Sequence, residues 1–172
     1  PHFLDMAAQV DSAGQFFANN SWNEADIVPD NEKTPQEEAV ALLKKNSQAS
    51  FSLSVINPNG AIFLLLSGGG GSLVLADEVY NLGHADKLAN YGEYSGNPSE
   101  DETYLYAKQV LSLLKNSQSD KKVLIVGGGA ANFTDVRTTF RGIIRALAEE
   151  KNVLNKLGVK IFVRRGGPGQ VE

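Results

Sequence analysis

Hydrophobic positions change period several times along the chain. Phe51, Leu53 and Val55 alternate with Ser52 and Ser54, the two-residue period of a strand with one buried face. After the turn-forming Asn57-Pro58-Asn59-Gly60, a continuous apolar run covers 61–66, and two such runs around a turn predict a β-hairpin. From Ser67 onward one unit recurs: an apolar strand, a glycine-rich or small-residue turn, and an amphipathic helix. The strands are predicted over 62–66, 88–94, 123–126 and 159–163, and the helices over 73–82, about 101–114 and about 135–150.

Local chemistry supports these boundaries. Gly83 closes the first helix, while Asn97-Pro98-Ser99-Glu100 and the Ser99/Glu102 pair suit a capped start for the second. Val136, Phe140, Ile143, Ile144 and Leu147 form one stripe on the third, which assigns them to the core. A shorter helix over 37–45 carries acids first and lysines last, as the helix dipole prefers. Between Asn19 and Glu38 the chain is polar, contains Pro29 and Pro35, and shows neither period, which predicts a linker or surface loop. Alternating β and α elements imply an α/β fold with a parallel sheet and right-handed crossovers.

Composition narrows the classes. With 172 residues, 42% hydrophobic and 21% charged, the chain is an ordinary globular core rather than a disordered or collagen-like one. The absence of cysteine removes disulfides, thiolate metal sites and cysteine nucleophiles together. A net charge of −4 with no basic run argues against general nucleic-acid binding, so any anion must be caught locally. No apolar run approaches the roughly 20 residues of a membrane span. A soluble, cytoplasmic protein is the expectation. The start at Pro1 without Met, and the stop at Glu172 just after a strand and a Gly-rich turn, suggest a piece of something larger.

Candidate chemistry gathers at the predicted strand ends. In an open parallel sheet ligands bind beyond the carboxyl ends of the strands, and here those ends carry glycines, at 68–71, at 96 and at 127–129. Glycine lets a ligand approach backbone N–H groups, and a following helix N-terminus adds partial positive charge, so the pattern suits an anion. Tight βα turns use glycine for purely structural reasons too, but several converging turns together with Arg164 and Arg165 favour binding. A mononucleotide P-loop is excluded because no Lys follows the glycines, and Asn132 stands where a dinucleotide fingerprint needs its third glycine.

Asn132-Phe133-Thr134-Asp135 supplies amide and hydroxyl donors at a helix start, suited to a carboxylate, although Asn132 or Thr134 could serve only as the N-cap. Strand alternation sends Arg164 and Arg165 to opposite sides, so one should bind and the other be structural. His84 reads as a surface residue, and no nucleophile or metal constellation is visible, so any covalent step draws on residues outside this chain.

Three stretches carry a resemblance to a known family. Leu88 through Glu100, with Asn90-Tyr91-Gly92-Glu93-Tyr94-Ser95-Gly96 at its centre, then Ala131-Asn132-Phe133-Thr134, and then Ile161 through Pro168 look like the citrate-binding domain of the ATP-citrate lyase family, within the acyl-CoA synthetase superfamily that includes succinyl-CoA synthetase. The resemblance implies a flavodoxin-like domain over 50–172, a linker with a short helix over 19–49, and the end of an ATP-grasp domain over 1–18. It implies that citrate is bound by Ser95, Gly96, Asn132, Phe133, Thr134 and Arg165, with Gly68, Gly69 and Gly70 lining the same cavity. Asp5 would ligate the Mg2+ of the nucleotide, since a carboxylate is a suitable hard ligand.

For the whole enzyme the resemblance implies ATP, Mg2+ and CoA. Its partner is the CoA-ligase part bearing a phosphohistidine, on the same chain or another subunit of an oligomer. Only citrate is expected on this chain alone. In such an enzyme citrate becomes citryl phosphate, then citryl-CoA, which is cleaved to acetyl-CoA and oxaloacetate. The alternatives are a citryl-CoA or succinyl-CoA synthetase-type ligase subunit and a non-catalytic carboxylate-binding module.

Overall fold

A computed structural model describes residues 32–129 and 134–165. The chain divides into two compact units, Pro1–Glu32 and Lys33–Glu172, and every described element belongs to the second. The elements are α1 (Pro35–Lys45), β1 (Ser50–Val55), β2 (Ile62–Ser67), α2 (Gly69–Val79), β3 (Asn90–Ser95), α3 (Glu100–Asn116), β4 (Val123–Gly128), α4 (Val136–Lys156) and β5 (Lys160–Arg164). The strands form one five-stranded sheet in the order β1-β3-β2-β4-β5. β3, β2, β4 and β5 run parallel, and β1 joins the edge antiparallel to β3.

The apolar run of β2 explains its central place. Phe63 and Leu65 point to one face and Leu64 and Leu66 to the other, and none of the four retains any exposure. Only a strand covered on both faces can bury a continuous apolar run. On one face, β2, β1 and β3 meet α1, α3 and α4 in a core that includes Val40, Phe51, Tyr94, Tyr106, Leu111, Leu114 and Ile143. The other face carries a smaller cluster, in which Leu64, Leu66 and Leu88 meet Ala76 of α2. α3 and α4 cross closely at Gly142, where a Cβ would strike the Glu100 carbonyl.

The hairpin expectation is overturned. β1 and β2 are not hydrogen-bonded neighbours; β3 lies between them, pairing Phe51 with Tyr94 and Val55 with Asn90. The Asn57–Gly60 segment does turn, closed by Gly60 N–H to the Asn57 carbonyl at 2.9 Å, but it turns over the start of β3. Ile56 N–H donates to the Ala89 carbonyl at 2.9 Å on one side, and Ala89 N–H donates to the Ile62 carbonyl at 2.8 Å on the other. Alternation and turn chemistry specify two strands and a reversal, but not whether a third strand enters between them.

Other boundaries shift for local reasons. α1 begins at Pro35 rather than at Glu37, because Thr34 and Glu37 form a reciprocal capping box and Pro35 takes the first helical position. α2 begins within the glycines, at Gly69, and ends at Val79; a wider turn, Tyr80–His84, follows, with Gly83 left-handed at φ 79°. α4 runs on to Lys156. Among the described residues no helix is long and apolar enough to cross a membrane.

β3 is fastened to β2 by a side chain. Leu66–Glu93 and Ser67–Tyr94 pair in backbone register and Ile62 bridges Leu88 at the other end, and between them the buried Asn90 amide completes the ladder. Its Nδ2 donates to the Leu64 carbonyl at 2.9 Å, and its Oδ1 accepts from Leu64 N–H at 3.1 Å. An apolar replacement would strand both buried backbone groups at the sheet centre. Asn90→Leu is therefore expected to lower the unfolding free energy by at least about 2 kcal/mol, read as a lower midpoint in urea; an unchanged midpoint would contradict this role.

Candidate functional site

The parallel strands β3, β2, β4 and β5 deliver their carboxyl ends to one rim. β2 ends at Ser67, and Gly68, in the left-handed region at φ 85°, turns the chain into α2 while donating its N–H to the Tyr94 carbonyl at 2.9 Å. β3 ends at Ser95, followed by left-handed Gly96 (φ 76°) and Asn97 (φ 59°). Asn97 is left-handed without being glycine, and its Oδ1 accepts from the Asp135 N–H at 2.9 Å. That bond ties the β3–α3 turn to the start of α4.

The cap of α4 is neither Asn132 nor Thr134. Asp135 occupies that position: its carboxylate accepts from Arg137 N–H at 2.9 Å and from the Thr138 hydroxyl at 2.7 Å. The Thr138 hydroxyl, chief among these contacts, holds the Asp135 carboxyl below its usual range. The Asp135 carboxylate, one position on from Thr134, is the group that reaches the first turn, so Thr134 itself, 1% exposed, is not consumed as a cap. Asn132, Phe133 and Asp5 lie outside the described residues.

The two arginines separate as strand alternation requires. Arg164 is exposed, whereas Arg165 is 9% exposed and reaches under the rim. Its Nη1 donates to the Gly129 carbonyl at 2.6 Å and its Nη2 to the Ser67 hydroxyl at 3.2 Å, so one guanidinium joins the ends of β2, β4 and β5. Beside it lies the Tyr94 hydroxyl; burial pushes the phenol up, and Arg165, Thr139 and Ser67 pull it part of the way back.

Of the residues expected from sequence, Gly68, Gly69 and Gly70 stand at the mouth of β2, and Arg165 is brought to that same strand end through Ser67. Ser95 and Gly96 sit at the end of the neighbouring β3, and Thr134 just before α4. A cleft of about 570 Å³ opens beside this group, lined by Ser47, Gly96, Asn97, Glu102 and Asp135 among others. Only Gly96 of the expected residues lines it, so the cleft meets the rim at the end of β3 and the start of α4 and does not include Arg165.

Sequence reading did not single out Ser67, just past the strand predicted over 62–66, or Tyr94, the last residue of the strand predicted over 88–94. The signal lay in a polar residue closing an otherwise apolar run. His84 is exposed, and among the described residues no three His, Cys, Asp or Glu side chains gather to hold a metal ion.

An open α/β sheet with glycine turns and a buried arginine at its carboxyl rim defines a binding domain of the doubly wound class. Known proteins narrow this. The family model "ATP citrate lyase citrate-binding" matches residues 31–172. ATP-citrate synthase of Homo sapiens is 44% identical over 174 residues, 99% of this chain but 16% of that protein. ATP-citrate synthase alpha chain protein 1 of Arabidopsis thaliana is 42% identical over 98% of this chain and 40% of its own length. The structure of ATP citrate lyase from Methanothrix soehngenii in complex with citrate and coenzyme A superposes with a TM-score of 0.80 at 38% identity, over 92% of this chain and 42% of that one. This chain belongs to the ATP citrate lyase citrate-binding family. It spans less than half the length of each of these relatives.

The cleft wall also carries a pH-sensitive cap. The Glu102 carboxylate accepts from the Ser47 hydroxyl and, at 2.8 Å each, from the Ser99 N–H and hydroxyl. The Ser47 bond first, then those from Ser99, hold its carboxyl below the usual range against the effect of burial. A carboxyl depressed in the folded state stabilises fully above its unfolded value of about 4.3, and that stability is lost as pH falls through the folded value. In a denaturation series from about pH 7 to pH 3, Glu102→Gln should be less stable than wild type at neutrality and show a shallower acid limb. Parallel curves would rule the linkage out.

Proposed function

We propose that this chain is the citrate-recognising part of an ATP citrate lyase. The observation that carries the reading is the buried Arg165, anchored at the mouth of the sheet of a chain whose net charge is −4. A polyanion cannot be drawn in by overall charge here and needs a local cation. A guanidinium pairs two carboxylate oxygens at once, and its charge-assisted bonds contribute about 1.5–3 kcal/mol each.

In this reading Arg165 takes one carboxylate of citrate. The Thr134 hydroxyl, Ser95 and the backbone N–H groups of Gly96 and of Gly68, Gly69 and Gly70 take the remaining oxygens, with Asn132 and Phe133 assigned by family resemblance. The partial positive charge at the start of α4 faces the same rim and suits an incoming phosphoryl group.

Held there, a citrate carboxylate oxygen attacks the phosphorus of a phosphohistidine supplied by another part of the enzyme, and the N–P bond breaks to give citryl phosphate. The CoA thiol then displaces phosphate to give citryl-CoA, whose carbon–carbon cleavage releases acetyl-CoA and oxaloacetate. The domain provides binding and orientation, which fits a site rim with a guanidinium and hydroxyls and no nucleophile–base pair among the described residues. Two solved relatives carry matching ligands: one holds citrate and coenzyme A, and Methanosaeta concilii ATP citrate lyase (D541A mutant) holds (3S)-citryl-CoA. ATP and Mg2+ belong to the nucleotide-binding part of such an enzyme. Asp5, the expected Mg2+ ligand, lies outside the described residues. A cytoplasmic, oligomeric enzyme with the CoA-ligase part on the same or a partner chain completes the reading.

Calorimetric titration of the intact protein tests this. Citrate should bind and succinate bind at least about tenfold more weakly, and Arg165→Ala should weaken citrate by roughly 10- to 100-fold. Equal affinity for the two acids would favour a ligase for a smaller acid, and citrate affinity untouched by Arg165→Ala would remove the reading's basis.

A further inference from the structure

Arg165 follows a strand whose own residues are all exposed, yet its guanidinium is buried. Its burial is made by its neighbours. Ser67, fully buried at the end of the central strand, accepts from Nη2, and the Gly129 carbonyl accepts from Nη1. These acceptors can stand together because Gly128, at φ 142°, lets β4 pass against β2 where any Cβ would strike Ser67. On the same face the fully buried Tyr94, its ring 6.0 Å from that of Tyr106, lies beside the group.

A guanidinium is planar, so fixing its two terminal nitrogens fixes the direction of all five of its donors. We propose that Ser67 is a positioning residue for citrate recognition, holding the Arg165 fork in its binding orientation before the ligand arrives, with Tyr94 as its lateral support. The inference rests on the reading that Arg165 takes a citrate carboxylate. It makes Ser67 matter to citrate affinity without touching citrate. A binding arginine that must first be ordered loses affinity to that ordering, whereas one already ordered does not.

The test is a double-mutant cycle in the intact enzyme with Ser67→Ala, Arg165→Ala and the pair, read as citrate affinity by calorimetry and as the KM values for citrate and for CoA. Ser67→Ala should weaken citrate by about 3- to 10-fold and leave the CoA KM in place. In the Arg165→Ala background it should add nothing, because its target is gone. Tyr94→Phe, which keeps the ring, should move citrate in the same direction by less and be equally silent in that background.

Effects of equal size with and without Arg165, or equal effects on citrate and CoA, would mark Ser67 as merely structural and overturn the inference. So would full citrate affinity in Ser67→Ala while Arg165→Ala loses it, and there the citrate reading survives. If Arg165→Ala itself leaves citrate affinity intact, the reading beneath the inference fails instead. Should Ser67→Ala not fold, the Tyr94→Phe pair of the cycle decides on the same terms.

Discussion

The site depends on one buried cation. Taking a guanidinium out of water is costly unless its donors are matched, and a hydroxyl from the central strand and a carbonyl from the strand beside it each take a bond from one of its terminal nitrogens. That requirement reaches back into the fold. β2 must be central for Ser67 to be buried, β4 must pass close enough at Gly128, and β5 must end where the next residue can lean inward. The Asn90 amide, which fastens β3 to β2 below the rim, serves the same geometry by keeping the end of β3 beside that of β2.

The division of labour follows from what the rim contains. It offers hydroxyls, backbone N–H groups, a helix start and a guanidinium, all suited to holding negative charge, but no paired nucleophile and base among the described residues. In the proposed reading such a domain contributes position and electrostatic complementarity, and the covalent steps are taken by other parts of the enzyme. The chain spans 16% of the length of one relative and 40% of another. The adjoining cleft walled by Ser47 and Glu102 is polar and leads toward the same turn through Gly96.

Much of this was legible in the sequence where the physics is local. Periodicity located the strands and helices, a capping box marks α3, and alternation separated Arg164 from Arg165 without saying which of the two would be buried. The hairpin expectation failed because pairing is not local: Asn57–Gly60 turns as its residues dictate, but the insertion of β3 is decided by the burial demand of β2. The cap of α4 was misjudged between neighbours, as Asn132, Thr134 and Asp135 all have capping chemistry and only the path of the turn selects Asp135. Ser67 and Asn90 were invisible for a related reason. A serine or an asparagine in an apolar run shows its meaning only when the backbone or cation it serves is brought from elsewhere in the chain.

The most direct measurement is a pair of structures of the intact protein, with and without citrate. Expected is an Arg165 guanidinium in the same place in both, on Ser67 and Gly129, with a citrate carboxylate laid against it and the Thr134 hydroxyl in the bound form. Citrate seated instead between Ser47 and Glu102 with no contact to Arg165, or an Arg165 that takes up its orientation only once citrate is present, would contradict it.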